Sequence, residues 1–400
     1  VIPKKPRKPK ANELSLLGHK KNKARNPKTS IYRGLIKKGN KCMNKMKLPL
    51  LAVLVVGTLN SITSCGLKSS VTPTDETITV TDMLGDSITI KKNPKKVACV
   101  SRATFDLLVS FGLGDKIDGA YYSLLDNTWA SVMYPQSANL YSYQYEESYE
   151  TFITRGVDLV FAPEKYIADG LKEHGINALC VSLYGNPTFD NYVHFFSNLV
   201  TKLWDDPIVA QKAKAWDNKV DKAINDVKSE LEKHNVEQKK IFYVRGDKNK
   251  GIGYTDTKAS FTEYAYRSLG FDFAGSHFES NKPSAEAIVE YNPDAFVIGG
   301  IYQNKLIETL KTTEPYIQLD AVKNNKIYTI PVGLTMFEQI SVMTPIFFYD
   351  QANKIYPEYF NYDIGSLVKD TVKDCFGSEL SDTQISYMLN GKNANGEDLA

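Results

Sequence analysis

Apolar and polar positions along the chain follow the order expected of alternating β-strands and α-helices. Two runs in which apolar and polar residues alternate, 77–81 and 87–90, predict an opening hairpin. Short apolar runs then predict buried strands, with amphipathic helices between some of them. The strands are predicted at 97–101, 117–121, 158–162 and 178–183, and the helices at 104–111 and 168–174. A helix between two strands returns the chain to the end of the sheet at which the first strand began. We therefore expect parallel strands and a first α/β lobe over residues 77–190.

A long amphipathic helix is predicted in the middle of the chain. The stretch between Phe189 and His234 contains no glycine, and apolar residues recur every three or four positions from Val209 to Leu231. Asp206-Pro207 precedes this pattern, and proline is tolerated best in the first turn of a helix. We therefore predict a connecting helix within residues 191–235, long enough to join two lobes.

The alternation of strand and helix resumes after this helix. Strands are predicted at 241–244, 295–299 and 326–330, and helices at 260–269 and 305–310. Residues 236–390 are assigned to a second α/β lobe with a mainly helical end, and the polar residues 391–400 to a tail that frays. The predicted fold class is α/β, with two Rossmann-like lobes, parallel central sheets, one long α-helix joining them and a ligand cleft between the lobes.

The start of the chain has a different composition from the rest. Residues 1–42 contain 14 lysines and arginines against one acid, Glu13, and show no periodic apolar pattern. We interpret them as a non-native or disordered basic extension from a translation start placed too far upstream. The alternative is a basic arm that binds a membrane or nucleic acid. Residues 43–64 predict a lipoprotein signal peptide, because an apolar run from Leu48 to Val56 follows basic residues and is about half the length of a membrane-spanning helix.

The end of this segment, Ile62-Thr63-Ser64-Cys65, resembles the bacterial lipobox. In a lipobox, cleavage exposes the cysteine, which is then acylated. The predicted lipidation site is therefore Cys65, and the lipid anchor would hold the protein outside the cytoplasm, on the outer face of the cell membrane or in a periplasm. Residues 65–76 are rich in serine and threonine and predict a tether. The alternative is a signal peptide without lipidation and an incidental cysteine.

Charge and cysteine content exclude two classes of protein. Without residues 1–42, Lys45 and Lys47, the chain has 33 basic and 45 acidic side chains. Such an acidic body argues against a nucleic-acid partner. The remaining cysteines, Cys99, Cys180 and Cys375, are odd in number, so they cannot form a complete disulfide framework.

An internal repeat relates the two predicted lobes. The segment from Ser148 to Phe161 aligns without gaps with the segment from Ser284 to Val297. Each copy has a serine that can cap a helix, a glutamate in the first turn, and an aspartate that opens the next strand. In addition, each lobe has a strand that leaves an arginine at its carboxyl end, Arg102 in the first and Arg245 in the second. Ligands of α/β sheets bind at this end of the strands, so the repeat predicts two matched halves of one site.

These features give the chain a family resemblance over residues 77–389. The motifs that carry it are the segments 81–90, 93–97, 113–119, 291–294 and 321–331. Together they resemble the substrate-binding proteins of ABC importers for ferric siderophores, haem and cobalamin, the class with a single long helix between its lobes. The resemblance implies a monomer that works with a permease, itself a dimer, and the ATPase of that permease. It also implies that Glu150 and Glu286 dock against the permease, whereas a purely local interpretation is that each glutamate favours a helix N-terminus.

The residue types near the predicted cleft suggest an anionic, partly aromatic ligand. Guanidinium groups suit planar pairs of oxygen atoms, and flat rings suit a large or macrocyclic ligand. The leading ligand is a ferric siderophore, followed by haem and then by a corrinoid. The candidate ligand-binding residues are Arg102, Tyr121, Tyr122, Trp129, Tyr143, Tyr145, Arg245, Tyr254, Tyr302 and Met336. Structural ion pairs and core packing are the alternative roles for these side chains.

Direct metal coordination and catalysis are both disfavoured by the sequence. The body has only four histidines, of which His174 immediately precedes the glycine that ends a predicted helix, so we expect no directly coordinated metal and no cofactor. Motifs typical of hydrolases, nucleotide-binding loops and zinc proteases are absent from the sequence. The expected function is capture of a chelate for import, without a reaction. The alternatives are a surface lipoprotein that acts as an adhesin or sensor, and an enzyme that releases the metal by hydrolysing its chelator.

Overall fold

The computed structural model describes residues 76–185, 192–247 and 249–399. The predictions of an N-terminal extension, a signal peptide, a lipidated Cys65 and most of the tether lie outside these residues. The described part opens with an antiparallel hairpin, β1 (Thr77–Thr81) and β2 (Ser87–Lys91), as predicted. Among the described residues, no helix has the length and apolar character needed to cross a membrane.

The first lobe is a parallel sheet with helices between its strands. Its elements are β3 (Val97–Cys99), α1 (Phe105–Ser110), β4 (Ile117–Tyr121), α2 (Tyr122–Leu125), α3 (Thr128–Met133), β5 (Tyr141–Tyr143), α4 (Tyr149–Arg155), β6 (Leu159–Ala162), α5 (Lys165–Glu173) and β7 (Ala178–Cys180). The five strands run in the order β5-β4-β3-β6-β7, and every pair is parallel. The central strand β3 is completely buried, as expected for a sheet covered on both faces.

A long helix leaves the first lobe after α6 (His194–Leu203). This helix, α7 (Pro207–Lys233), has 27 residues and is about 40 Å long. Its N-terminus is fixed by Asp206, whose carboxylate accepts hydrogen bonds from the backbone N–H groups of Ile208 and Val209 at 2.7 and 3.4 Å. Most of its periodic apolar positions from Val209 to Leu231 are buried and Ile224 is half-buried, so the periodicity predicted both the helix and its inner face.

The second lobe repeats the parallel arrangement. Its elements are β8 (Lys240–Val244), α8 (Phe261–Ser268), β9 (Asp272–Phe273), α9 (Ala285–Tyr291), β10 (Ala295–Ile298), α10 (Gln303–Thr312), α11 (Asp320–Lys323) and β11 (Ile327–Thr329). The strand order is β11-β10-β8-β9, again with parallel pairs. The prediction of two parallel α/β lobes joined by one long helix is confirmed.

Hydrogen bonds at the base of the two sheets show the internal repeat in atomic detail. In the first lobe, the carboxylate of Asp158 accepts a hydrogen bond from the backbone N–H of Lys96 at 2.9 Å. In the second lobe, Asp294 accepts from the backbone N–H of Lys240 at 2.8 Å. Each aspartate opens a strand and ties it to the start of its neighbour. The aligned sequences therefore fold into equivalent substructures, and the ends of their strands occupy equivalent places.

Three C-terminal helices join the lobes into one packed unit. They are α12 (Thr344–Ile355), α13 (Ile364–Phe376) and α14 (Asp382–Leu389). The helix α12 packs along α7, and α13 contacts α1 in the first lobe. A single apolar core includes Phe111 of the first lobe, Trp216 of α7, Tyr243 of the second lobe and Phe347 of α12. The C-terminal helices therefore belong to both lobes, whereas the sequence assigned them to the second lobe alone.

The polar C-terminal residues are packed, and the prediction that they fray is wrong for residues 391–399. The indole N–H of Trp129 in α3 donates to the carbonyl oxygen of Lys392 at 3.0 Å. The backbone N–H of Ala394 donates to the hydroxyl of Thr128 at 2.9 Å. Lys392 and Asp398 form an antiparallel bridge within this segment. Polar composition misled the prediction because backbone and indole hydrogen bonds, rather than apolar burial, hold the tail against the first lobe.

Candidate ligand cleft between the lobes

The carboxyl ends of strands from both lobes face one cavity of about 390 Å³. Arg102 follows β3 of the first lobe, whereas Arg245 and Gly246 directly follow β8 of the second. Gly246 has a φ of +63°, and a Cβ atom there would lie 1.8 Å from the carbonyl oxygen of Gly299. Glycine is therefore required where the chain segments after β8 and β10 touch. This close approach shapes the second-lobe wall of the cavity.

Arg245 is held at the centre of the cleft by several partners. Its Nη1 donates to the hydroxyl of Tyr254 at 3.0 Å and lies 3.5 Å from Oδ1 of Asp256. Its guanidinium also lies over the ring of Tyr184, 4.5 Å from the ring centroid. Burial opposes the charge, but Tyr184 and Asp256 outweigh burial and raise the pKa of Arg245. The side chain therefore presents a fixed positive charge to the cavity.

Asp256 is the buried counter-charge of this arginine. Its Oδ2 accepts a hydrogen bond from Thr262 at 2.7 Å, and the residue is almost completely buried. Burial raises the pKa of Asp256, whereas Arg245 and Thr262 act in the opposite direction. The carboxylate thus depends on its two neighbours to remain charged.

Arg102 approaches the cleft from the first lobe. Its Nη2 donates to the hydroxyl of Ser123, and its guanidinium lies 4.9 Å from the ring centroid of Tyr121. A second cavity, of about 150 Å³, lies beside the first and shares with it Arg102, Tyr184 and Arg245. The two arginines that the internal repeat singled out are therefore part of one continuous cleft.

The predicted aromatic residues and Met336 divide into three groups. Tyr121 and Tyr145 line the smaller cavity, and their rings meet edge to face with centroids 5.8 Å apart. Tyr254, Tyr302 and Met336 line the larger cavity. Five of the predicted non-arginine residues thus lie on the cleft. Outside it lie Tyr122, Trp129 and Tyr143.

Trp129 and Tyr143 are core residues, so the prediction that they contact the ligand is wrong. Trp129 is fully buried on the inner face of α3, where it contacts the C-terminal tail. Tyr143 is fully buried too, stacks on Phe152 and donates from its hydroxyl to Asp118 at 2.5 Å. Trp129 follows β4 and Tyr143 is the last residue of β5, but both side chains point into the lobe. Tyr122 is exposed and packs against Tyr121 beside the cleft, with ring centroids 4.8 Å apart.

Several cleft residues were missed in the sequence. Tyr184 lies shortly after β7, at the carboxyl end of a predicted strand, so its position could have identified it. Asp256 and Glu338 lie in irregular segments, and Glu338 is buried within an otherwise apolar stretch. The Oε1 atom of Glu338 accepts a hydrogen bond from the backbone N–H of Gly300 at 2.8 Å. Burial raises the pKa of Glu338 to about 7.

The two glutamates of the internal repeat occupy equivalent exposed positions. Glu150 is in the first turn of α4, which Ser148 caps by accepting a hydrogen bond from a backbone N–H at 3.3 Å. Glu286 is in the first turn of α9, which Ser284 caps in the same way at 3.2 Å. The Glu286 backbone N–H and Ser284 lower the pKa of Glu286.

With this geometry in place, comparison with known proteins finds a family model that matches part of the chain. Residues 201–332, which span α7 and most of the second lobe, match the family model described as periplasmic binding protein. Residues 201–332 thus carry the features of a periplasmic binding protein domain. The resemblance to substrate-binding proteins is confirmed for these residues.

Several similar proteins match the chain over both lobes. An uncharacterised ABC transporter substrate-binding lipoprotein of Bacillus subtilis, YvrC, is 24% identical over 331 residues, which cover 78% of this chain and 96% of the relative. The molybdate-bound binding protein MolA of Haemophilus influenzae superposes with a TM-score of 0.62 at 14% identity, covering 76% of this chain and 99% of MolA. The Helicobacter pylori protein CeuE with Ni(II) bound superposes with a TM-score of 0.60 at 19% identity, covering 78% and 99%. These structural likenesses establish the fold of the chain.

Among the described residues, no group of three or more histidine, cysteine, aspartate or glutamate side chains is arranged to hold a metal ion. His194, for example, takes part in ion pairs where α6 packs on α7. Its Nδ1 lies 3.0 Å from Oδ1 of Asp217, and its Nε2 lies 2.9 Å from Oδ1 of Asp221.

Proposed function

We propose that this protein captures a metal chelate outside the cytoplasm and delivers it to an ABC importer. The observation that carries the proposal is the position of Arg102 and Arg245. They come from equivalent strand ends in two lobes and lie on one cleft, together with several tyrosine rings. Fixed guanidinium groups bind paired oxygen atoms, and tyrosines supply flat surfaces and hydroxyl groups, so the cleft suits the oxygen-rich shell of a chelated metal.

A ferric siderophore is the leading cargo within this proposal. The Bacillus subtilis relative is named as an ABC transporter substrate-binding protein, and the Helicobacter pylori and Haemophilus influenzae structures hold nickel and molybdate. These names support a metal-containing cargo in a fold of this kind. Haem and a corrinoid are the other cargoes that the binding experiment must compare.

Isothermal titration calorimetry is the appropriate test of cargo binding. The three tryptophans, Trp129, Trp204 and Trp216, are buried outside the lining of both cavities, so their fluorescence is a poor reporter. We expect heat of binding and a raised melting temperature with a ferric siderophore. Parallel titrations with haem and cobalamin rank the alternatives. Absence of binding to all of them would contradict the proposal and favour a surface adhesin or sensor.

Glu150 and Glu286 are proposed to dock this protein on the two halves of the permease. Their equivalent exposed positions, one on each lobe, support this role. Replacing both by alanine should abolish uptake of the cargo by cells while leaving its dissociation constant unchanged, because neither residue lines the cleft. Replacing Glu173 and Glu290, two other exposed glutamates, by alanine provides the matched control. Equal uptake by the docking variant and the control would contradict the assignment.

Attachment to the membrane is proposed to occur through Cys65. The Bacillus subtilis relative is named a lipoprotein, which supports this mode of anchoring. Metabolic labelling with a radioactive fatty acid should mark the protein, and the Cys65→Ser variant should lose the label. Labelling that persists in this variant would exclude Cys65 as the acylated residue.

A further inference from the structure

The second-lobe wall of the cleft contains a carboxyl oxygen that forms no hydrogen bond with any residue that the structure describes. Glu338 is 5% exposed and lines the larger cavity. One of its oxygen atoms, Oε1, is engaged by the backbone N–H of Gly300. The other, Oε2, is buried and has no hydrogen-bond partner among the described residues. Buried acceptors in folded proteins are nearly always paired, so this atom is suited to a donor that arrives with the ligand.

Two further oxygen atoms on the same cavity are in a similar state. Oδ1 of Asp256 has no hydrogen bond among the described residues, although Arg245 lies 3.5 Å away. The side-chain oxygen of Gln339 also has none, while its amide nitrogen lies 4.0 Å from the sulfur of Met336. The cavity therefore offers more acceptors than the protein itself satisfies. A ligand that brings only oxygen acceptors would leave all three without a hydrogen bond.

The formal charges that line the larger cavity balance. Arg102, Arg245 and Lys250 face three acids, Asp247, Asp256 and Glu338. Arg245 is already opposed by Asp256, and Lys250 lies 3.9 Å from the carboxylate of Asp247. A cargo with several negative charges would meet these carboxylates as well as the arginines. Electrostatic complementarity therefore favours a cargo with little net charge.

We propose that Glu338 contacts the cargo and selects a chelate that carries N–H or O–H donors and little net negative charge. The unpaired Oε2 atom accepts the donor, while Arg102 and Arg245 bind oxygen atoms of the metal's shell. This inference rests on the proposed function, since it assumes that a chelate occupies the cleft. Glu338 would then discriminate between chelates that have the same metal but a different charge and a different number of donors.

The surroundings of Glu338 give this contact a pH dependence. Gly300 donates to it from the end of β10, Tyr243 lies beside it on β8, and Asp256 and Arg102 are the nearby charges from the second and first lobes. Burial is the main cause of a pKa of about 7, which Asp256 raises and Arg102 lowers. Because the ionised carboxylate is the better acceptor, a donor-bearing cargo should bind about tenfold more tightly at pH 8 than at pH 6.

The test compares two ferric chelates on the full chain by calorimetry. One is a neutral ferric trihydroxamate that carries amide N–H groups, and the other is a ferric tricatecholate with three negative charges. In the Glu338→Gln variant, the amide oxygen can accept the hydrogen bond from Gly300. The amide NH₂ group, a donor, then takes the place of the acceptor Oε2. We expect tenfold or greater weakening of trihydroxamate binding, no loss of tricatecholate binding, and disappearance of the difference between pH 6 and pH 8.

Asp350→Asn is the matched control. Asp350 is also a buried acid whose pKa burial raises, but it lies on α12 and pairs with Lys354 outside the cleft. This variant should bind both chelates as the unaltered protein does. Melting curves of both variants establish that they are folded, and the pH dependence of the unaltered protein provides evidence that needs no variant.

The possible outcomes separate this inference from the proposed function. If the unaltered protein binds neither chelate, nor any other, the proposed function itself fails. If it binds the tricatecholate more tightly and Glu338→Gln leaves both affinities unchanged, chelate binding stands and the role of Glu338 is refuted. Equal weakening of both chelates, with the pH dependence retained, would show that Glu338 only supports the shape of the cleft and would also overturn the inference.

Discussion

Replacing Arg245 by methionine should separate its role in binding from its role in stability. The substitution keeps most of the side-chain length but removes the positive charge 3.5 Å from Oδ1 of Asp256. At an effective dielectric constant of about 20, that separation corresponds to a Coulomb energy of about 5 kcal/mol. Arg245 is 31% exposed, so solvent screening and recovered hydration reduce the expected loss of stability to about 2 kcal/mol.

This loss should depend on pH because Asp256 would remain buried without its cation. Burial raises the pKa of Asp256 above its ordinary value even when the arginine is present. An acid whose folded pKa is raised binds more protons in the folded state, so it destabilises the fold increasingly as pH rises above the unfolded pKa, about 4. We therefore expect Arg245→Met to be close to the unaltered protein near pH 4 and clearly less stable at pH 8.

Asp256→Asn is the partner variant for this experiment. Combined with Arg245→Met, it removes the buried carboxylate that lacks a cation. The double variant should therefore recover most of the lost free energy of unfolding, measured by urea denaturation at pH 5 and pH 8. Binding should not recover, because a charge-assisted hydrogen bond to the cargo, about 1.5–3 kcal/mol, is still missing, which corresponds to roughly 10- to 150-fold in the dissociation constant. A double variant that binds normally, or an Arg245→Met protein as stable as the parent at pH 8, would refute this reasoning.

Three further predictions concern the scaffold. Removing residues 391–400 leaves the indole N–H of Trp129 without its acceptor and should lower the free energy of unfolding by roughly 2 kcal/mol, as urea denaturation would show. The contact with Asp217, reinforced by Asp221, raises the pKa of His194. The interaction of protonated His194 with these aspartates therefore contributes fully to the free energy of unfolding below the unfolded pKa, about 6.5, and the contribution disappears as pH rises through the folded pKa. The His194→Gln variant should abolish this pH dependence of stability. Cargo binding should slow hydrogen exchange in the cleft loops and leave exchange in the connecting helix unchanged. Mass spectrometry of deuterated peptides measures both. Slower exchange in the connecting helix would instead indicate that the lobes close as a hinge.

Elements with a long periodic pattern were predictable from the sequence. The predicted strand 117–121 coincides with the observed Ile117–Tyr121, and the connecting helix begins at Pro207, after the capping Asp206. The edge strands Tyr141–Tyr143 and Asp272–Phe273 were not predicted. Both segments lie at a sheet edge and lack the apolar run that predicted β3 and β7, which are equally short. They form strands because a neighbouring strand offers its backbone for pairing.

The same distinction between local and tertiary information applies to the site. Arg102 and Arg245 were predictable because each directly follows a recognisable buried strand. Glu338 was not predictable, because it lies in an irregular segment before α12 and reaches the cleft through tertiary contacts such as its hydrogen bond with Gly300. Trp129 and Tyr143 show the converse error, since nearness to a strand end in the sequence does not determine the direction in which a side chain points.

The shared core explains why the cleft can hold buried charges in fixed places. Trp216 of the connecting helix meets the ring of Phe111 of the first lobe edge to face, 6.3 Å between centroids, and its indole N–H donates to the carbonyl oxygen of Ser341 at 3.1 Å. Moving one lobe against the other would break this packing, so large closure is costly. A cleft that barely closes must be arranged before the cargo arrives. The ion pair of Arg245 with Asp256 and the hydrogen bond from Gly300 to Glu338 hold these side chains in position. Under the proposed function, specificity then depends on the donors and charges that they present to the cargo.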